Sequence, residues 1–94
     1  MNLVGLDLAG RRAVVVGGGA VGTRRAQLFA EGGARVVIVD PDPSDGAVGL
    51  AARDDVELAV REVQEADVDG AWLVVAATSD RELNGAVARW CLER

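Results

Sequence analysis

One stretch of sequence decides the fold of this chain: Val14-Val15-Val16-Gly17-Gly18-Gly19-Ala20-Val21-Gly22. The β-branched run has no polar alternation, which predicts a strand buried on both faces of a parallel sheet. The glycines that follow predict a tight turn into a helix, and Asp40 closes a second apolar run about 20 residues further on. This combination indicates a βαβ unit of the kind that binds dinucleotides.

The rest of the chain continues the alternation of strands and helices. Four strands are predicted, at Ala13–Val16, Arg35–Asp40, Val56–Val60 and Ala71–Ala77. Helices are predicted at Ala20–Glu31, around Ala47–Arg53 and from about Ser79 to near Arg94, with a turn or one helical turn at Gln64–Gly70. Right-handed crossovers give a strand order of 3-2-1-4. We expect one α/β, Rossmann-like, three-layer domain over residues 1–94, a truncated or minimal version of that fold.

Helix faces and helix ends follow from local signals. Val21, Leu28 and Phe29 are spaced to share one face of the first helix, and Gly32-Gly33 predicts its end. Ser79 begins an S-x-x-E pattern, which predicts it as the N-cap of the last helix. The predicted apolar stripe of that helix is Leu83, Val87, Trp90 and Cys91.

The glycine cluster predicts a pyrophosphate site. Backbone N–H groups at a helix N-terminus bind phosphate only where side chains leave room. We expect Gly17 to permit the turn, Gly19 to let the phosphate approach, and Gly22 to let the helix pack on the strands. The alternative is a simple tight turn in another α/β domain.

Two other positions are predicted to border the same ligand. Asp40 ends strand two, where a carboxylate accepts from adenosine ribose hydroxyls and repels a 2′-phosphate, which favours NAD over NADP. The alternative is that Asp40 only starts the turn before Pro41. Thr78 ends strand four and is expected to border the nicotinamide half of the cofactor.

Composition excludes several function classes. The net charge is −5, and acidic and basic residues are interspersed, which argues against nucleic acid or an anionic membrane as partner. No apolar run approaches a membrane span and no signal peptide is evident, so we expect a cytoplasmic protein. The chain has no histidine, lysine or tyrosine and one cysteine, Cys91, so no metal site or disulfide is predicted.

Some polar and aromatic residues have a structural and a functional reading. We expect Arg24 and Arg25 to lie on a solvated helix face rather than to contact a phosphate. Cys91 is expected to be a buried structural thiol, and Trp72 and Trp90 to be core or interface residues. Strand four is expected to be an apolar edge, covered by a missing C-terminal segment or by a second subunit in a homodimer.

Longer motifs carry a family resemblance. Residues 15–25 (VVGGGAVGTRR) and the stretch Asp67–Asp80 (DVDGAWLVVAATSD), followed by Leu83-Asn84, resemble the siroheme synthase N-terminal domain, the precorrin-2 dehydrogenase family. The resemblance implies oxidation of the tetrapyrrole precorrin-2 to sirohydrochlorin with NAD⁺. It places Gly17, Gly19, Ala20 and Val21 at the pyrophosphate and Asp40, Pro41 and Asp42 at the ribose.

Three departures from that family pattern affect what is expected. Gly22 stands where the family usually has alanine, which we expect to be a mild difference. Asp40 stands where the family often has a small residue, which should strengthen the ribose contact. The chain stops before the family's next strand, which leads to the proposed catalytic aspartate, so no catalytic residue is assigned here. The alternatives are a stand-alone dinucleotide-binding or sensing module and another NAD(P)-linked enzyme domain.

Overall fold

The computed structural model describes residues 7–94, and this range forms a three-layer α/β domain. Its strands are β1 (Arg12–Val16), β2 (Arg35–Val39), β3 (Val56–Ala59) and β4 (Leu73–Ala76). Its helices are α1 (Ala20–Glu31), α2 (Asp45–Leu50) and α3 (Arg81–Leu92), with a 3₁₀ turn at Glu65–Val68. The sheet is parallel with the order β3-β2-β1-β4, which confirms the predicted fold class and strand order.

The central strand β1 contributes to both cores, as its uninterrupted valines predict. Val15 packs in the cluster beneath α1 and α2, while Val14 and Val16 pack in the cluster beneath α3. All three valines are at most 1% exposed. Burying a valine side chain contributes roughly 1.5–3 kcal/mol, so β1 anchors the glycine turn that follows it.

Helix α1 has the predicted bounds, but its buried face differs from the expected one. Gly22, Ala26, Phe29 and Ala30 are buried, whereas Val21 is 54% exposed. The expectation that Val21 faces the core is wrong, because small residues at the i, i+4, i+8 positions allow the helix to pack closely on the sheet. The helix ends as predicted, with Gly33 at a φ of +93°.

Helix α3 begins one residue later than expected. Asp80, not Ser79, is its N-cap, and the Asp80 carboxylate accepts from the N–H of Leu83 at 3.1 Å. A carboxylate at the residue before the first helical position satisfies that donor, so the predicted Ser79 cap is wrong. The apolar stripe of α3 packs as predicted on one face of the sheet.

The remaining differences lie at strand ends and at α2. The second helix spans Asp45–Leu50, earlier than expected, because the Ser44 hydroxyl accepts from the N–H of Ala47. Strand β4 is shorter than expected and half-buried, since among residues 7–94 it pairs with β1 alone. No helix of the described range is long and apolar enough to cross a membrane.

Candidate functional site

A cleft of about 670 Å³ opens at the carboxyl ends of the strands. This volume lies within the range of small-molecule sites, and its position is where open parallel sheets bind ligands. It is lined by the ends of β1 and β2, the first turn of α1, and the segments that follow β3 and β4. The lining residues are Val16, Gly17, Gly19, Ala20, Val21, Val39, Asp40, Pro41, Glu62, Val63, Ala77, Thr78, Ser79, Asp80 and Leu83.

Gly17 and Gly22 are required by the protein's own packing. Gly17 has a φ of +114°, and a Cβ there would lie 2.8 Å from the Ala77 carbonyl oxygen, against the end of β4. A Cβ on Gly22 would overlap the Gly17 carbonyl oxygen, so α1 packs directly beneath the glycine turn. Glycine in place of the family's usual alanine at position 22 is therefore not a mild difference in this backbone, since alanine would force the turn or the helix to move.

Gly19 has a different environment from these two glycines. Its φ is −83°, which any residue can adopt, and a Cβ there would meet no protein atom within 4 Å. Gly19 is exposed and lines the cleft. Neither backbone strain nor packing among the described residues requires a glycine here, and its open side leaves room for a ligand to approach the backbone.

The N-terminus of α1 faces the cleft with free donors. No side chain within the described range caps this helix, and the first N–H to reach a carbonyl is that of Thr23, which donates to Gly19 at 2.9 Å. Ala20 and Val21 line the cleft and are exposed, and the N–H groups of a first helical turn have no partner within the helix. This turn can donate to an anionic group and carries the positive end of the helix dipole.

Asp40 lines the cleft beside Pro41, at the end of β2. Its Oδ2 accepts from the N–H of Gly18, and its Oδ1 accepts from the N–H of Asp42 at 2.7 Å. Both readings of Asp40 from the sequence are thus compatible with the structure, because each carboxylate oxygen keeps a second lone pair for a ligand. Asp42 itself is exposed and does not line the cleft.

Asn84 holds the segment that follows β4. Its Oδ1 lies 2.6 Å from the Thr78 hydroxyl and 3.3 Å from the Thr78 nitrogen, and its Nδ2 donates to the Thr78 carbonyl at 3.0 Å. The Thr78 hydroxyl also accepts from the N–H of Asp80 at 3.1 Å. Thr78 lines the cleft as expected, and its hydroxyl is engaged within the protein.

The segment after β3 forms a wall that sequence analysis missed. Glu62 and Val63 line the cleft, and the signal was their position after a parallel strand. Behind them, Arg61 donates to both carboxylate oxygens of Asp67 at 2.8 and 2.6 Å, and the N–H of Gln64 donates to the same carboxylate at 2.7 Å. The hydrogen bonds from Arg61 lower the pKa of Asp67, and the N–H of Gln64 lowers it as well. Partial burial raises the same pKa, but it does not outweigh these hydrogen bonds.

The charge of the cleft is negative at its rim. Asp40, Glu62 and Asp80 contribute carboxylates, and its lining as described contains no basic side chain. Arg24 and Arg25 are exposed on α1 and do not belong to the lining. Cys91 is half-buried in the cluster beneath α3 rather than at the cleft. Such a rim repels anionic groups, while the N-terminus of α1 attracts them.

Comparisons with known proteins agree with this geometry. Residues 4–94 match the model of a family described as NAD(P)-binding. The siroheme synthase of Thioalkalivibrio sulfidiphilus is 42% identical over 95% of this chain, and that of Pseudomonas entomophila is 43% identical over 86%. The chain spans 18% of the length of either relative.

A solved structure shares the fold. The precorrin-2 dehydrogenase SirC superposes with a TM-score of 0.84 at 35% identity. The match covers 94% of this chain and 44% of SirC.

Proposed function

This chain belongs to the family of siroheme synthase N-terminal NAD(P)-binding domains, and we propose that it is the NAD⁺-binding part of a precorrin-2 dehydrogenase. The observation that carries the proposal is the open side of Gly19 beside an uncapped helix N-terminus in the cleft. In the proposed reaction, bound NAD⁺ accepts a hydride as precorrin-2 is oxidised to sirohydrochlorin. The part of this chain is to bind and orient that cofactor.

The pyrophosphate would be bound by backbone groups. Gly19 leaves space for it, and the N–H groups of Ala20 and Val21 in the first turn of α1 would donate to it. Gly17 and Gly22 act indirectly, because they allow the turn and the helix to pack closely beneath these donors.

Discrimination against NADP⁺ would come from carboxylates. Asp40 would accept from the ribose hydroxyls, with Pro41 and Asp42 forming the turn beside it. A 2′-phosphate on the ribose would lie against the Asp40 carboxylate, with Glu62 in the same cleft. The lining residues include no basic side chain to neutralise it. We therefore assign NAD⁺ as the cofactor.

The other half of the cofactor would lie along the segment held by Asn84, against the backbone of Thr78. We place no catalytic residue in this chain. One edge of β4 is not paired by any strand of residues 7–94, and we expect a second subunit or a further segment of a longer protein to pair there. A cytoplasmic location is part of the same proposal.

The first experiment is a calorimetric titration of the purified chain with NAD⁺ and, separately, with NADP⁺. Heat is preferred to tryptophan fluorescence, because Trp72 precedes β4 at the opposite end of the sheet and Trp90 lies on α3 and packs in the cluster beneath that helix. We expect saturable binding with NAD⁺ at least tenfold tighter, which corresponds to about 1.4 kcal/mol.

A matched variant separates the binding of a dinucleotide from the discrimination against NADP⁺. Glu62→Gln should narrow the difference between NAD⁺ and NADP⁺ while NAD⁺ still binds. Absence of binding by either dinucleotide would contradict the assignment for this chain. Tighter binding of NADP⁺ would contradict only the role proposed for the carboxylates and not the binding of a dinucleotide.

A further inference from the structure

Gly18 is the one glycine of the cluster that the dinucleotide motif leaves unspecified, and both of its backbone polar groups are engaged by other segments. Its N–H donates to Oδ2 of Asp40. Its carbonyl accepts from the N–H of Ser44 at 2.9 Å, and the Thr23 hydroxyl lies 3.4 Å from the same oxygen. Asp40 and Ser44 flank the turn between β2 and α2, so Gly18 connects the glycine turn to that turn.

Packing at Gly18 supports the same connection. Gly18 is buried, and a Cβ there would lie 3.3–3.4 Å from the Cβ atoms of Pro43, Ala47 and Asp40. That is tight contact with three residues of one segment. Gly18 is therefore explained by close approach to the β2–α2 turn rather than by a ligand.

The Asp40 carboxylate consequently touches two structures at once. Oδ2 contacts the glycine turn and Oδ1 accepts from Asp42 in the β2–α2 turn at 2.7 Å. The peptide of Gly18 leads directly into Gly19 and the free donors of α1, so its orientation sets where those donors point.

We propose that Asp40 is a positioning residue for the pyrophosphate-binding turn, acting through the N–H of Gly18, in addition to its proposed contact with the ribose. This inference rests on the proposed function and deepens it. One consequence concerns specificity. Replacing Asp40 to admit NADP⁺ also loosens the pyrophosphate site, so cofactor preference cannot be switched at this residue alone.

The test uses a diphosphate ligand without ribose hydroxyls. Asp40→Ala removes both carboxylate oxygens, so the N–H groups of Gly18 and Asp42 both lose their acceptor. Affinities for ADP and for 2′,3′-dideoxyadenosine diphosphate are measured by calorimetry on wild type and variant. We expect Asp40→Ala to weaken both ligands, the dideoxy compound by about tenfold, which is the loss of one hydrogen bond to a charged group at the Gly18 N–H.

The opposite result is equally well defined. If Asp40 acted only through the ribose hydroxyls, Asp40→Ala would leave the dideoxy ligand unaffected. It would even strengthen its binding, because a negative charge near a diphosphate is removed. Either outcome would overturn the positioning role. Asp54→Asn is the control for charge, since Asp54 is exposed in the turn before β3, at the other end of the sheet, and should change neither affinity by more than twofold.

Two further measurements cover a variant that binds nothing or folds poorly. Amide hydrogen exchange of Gly18 in the ligand-free protein should be slowed in wild type and faster in Asp40→Ala, and equal rates would count against the proposal. Gly18→Ala keeps the Asp40 carboxylate but presses on Pro43 and Ala47, and should also weaken the dideoxy ligand. If wild type binds neither ADP nor NAD⁺, the proposed function itself fails, whereas the Gly18 exchange result still decides the Asp40 contact.

Discussion

Replacing Gly19 by alanine should separate ligand binding from folding in this protein. The added Cβ would meet no protein atom within 4 Å and would project into open space beside the cleft. The backbone at Gly19 has φ −83° and ψ −162°, a conformation that alanine adopts without strain. Only a ligand seated against this backbone would therefore encounter the new methyl group.

The expected change in folding stability is small because two effects oppose each other. Alanine is a poorer N-cap than glycine, which costs about 0.5–1 kcal/mol. Alanine also restricts the unfolded chain, which stabilises the folded state by about 0.4–1 kcal/mol. We expect the free energy of unfolding of Gly19→Ala to stay within about 0.5 kcal/mol of wild type, since these terms nearly cancel.

The expected change in binding is larger. A methyl group at this place keeps the pyrophosphate from the first-turn donors of α1, so at least one hydrogen bond to a charged group is lost. Such a bond contributes about 1.5–3 kcal/mol, which corresponds to a roughly 10- to 100-fold weaker affinity for NAD⁺. Calorimetry measures the affinity, and urea unfolding followed by circular dichroism measures the stability.

Gly49→Ala is the matched control. Gly49 is also a glycine whose Cβ would meet nothing within 4 Å, but it lies in α2 and does not line the cleft. This variant should gain about 0.5–1 kcal/mol of stability, because glycine is unfavourable in a helix, and should bind NAD⁺ like wild type. Unchanged NAD⁺ affinity in Gly19→Ala would refute the assignment of the cleft. A loss of stability above about 2 kcal/mol would show that Gly19 serves the fold instead.

Three further predictions concern the surroundings of the cleft. Gly22→Ala should lower the free energy of unfolding by about 1–3 kcal/mol, as overpacking does, and an unchanged urea midpoint would contradict the packing argument. Asn84→Ala frees Thr78 and should weaken NAD⁺ more than ADP-ribose in calorimetry; equal losses would indicate a general effect on folding. Asp67 has a lowered pKa beside Arg61, so its ionised form contributes stability above the ordinary carboxyl pKa of about 3.9, and this contribution disappears as pH falls through the lowered value. Urea midpoints at stepwise lower pH should therefore fall less in Asp67→Asn than in wild type, and parallel curves would refute this linkage.

Much of the fold could be predicted because its signals are local. The apolar run of β1 has no polar alternation, so only a strand covered on both sides accommodates it, and the structure buries Val14, Val15 and Val16. The crossover rule then determines the strand order, because each helix must return the chain to a parallel neighbour. The bounds of α1 follow from glycines at both ends. Helix faces were less predictable, as Val21 shows, because spacing alone does not say which of two neighbouring faces packs closely on a sheet.

At the glycine cluster, some features are predicted by local sequence and others depend on how the strands pair. Motif spacing predicted a pyrophosphate site at this turn and a carboxylate at the end of β2, because both depend on residues close in the chain. The reasons for Gly17 and Gly18 depend on Ala77 and Pro43, which are distant from them in the sequence. The same holds for the cleft wall at Glu62 and for the contact of Asn84 with Thr78. These relations exist only once the strands pair, because parallel pairing brings the carboxyl ends of β1 to β4 to one edge of the sheet.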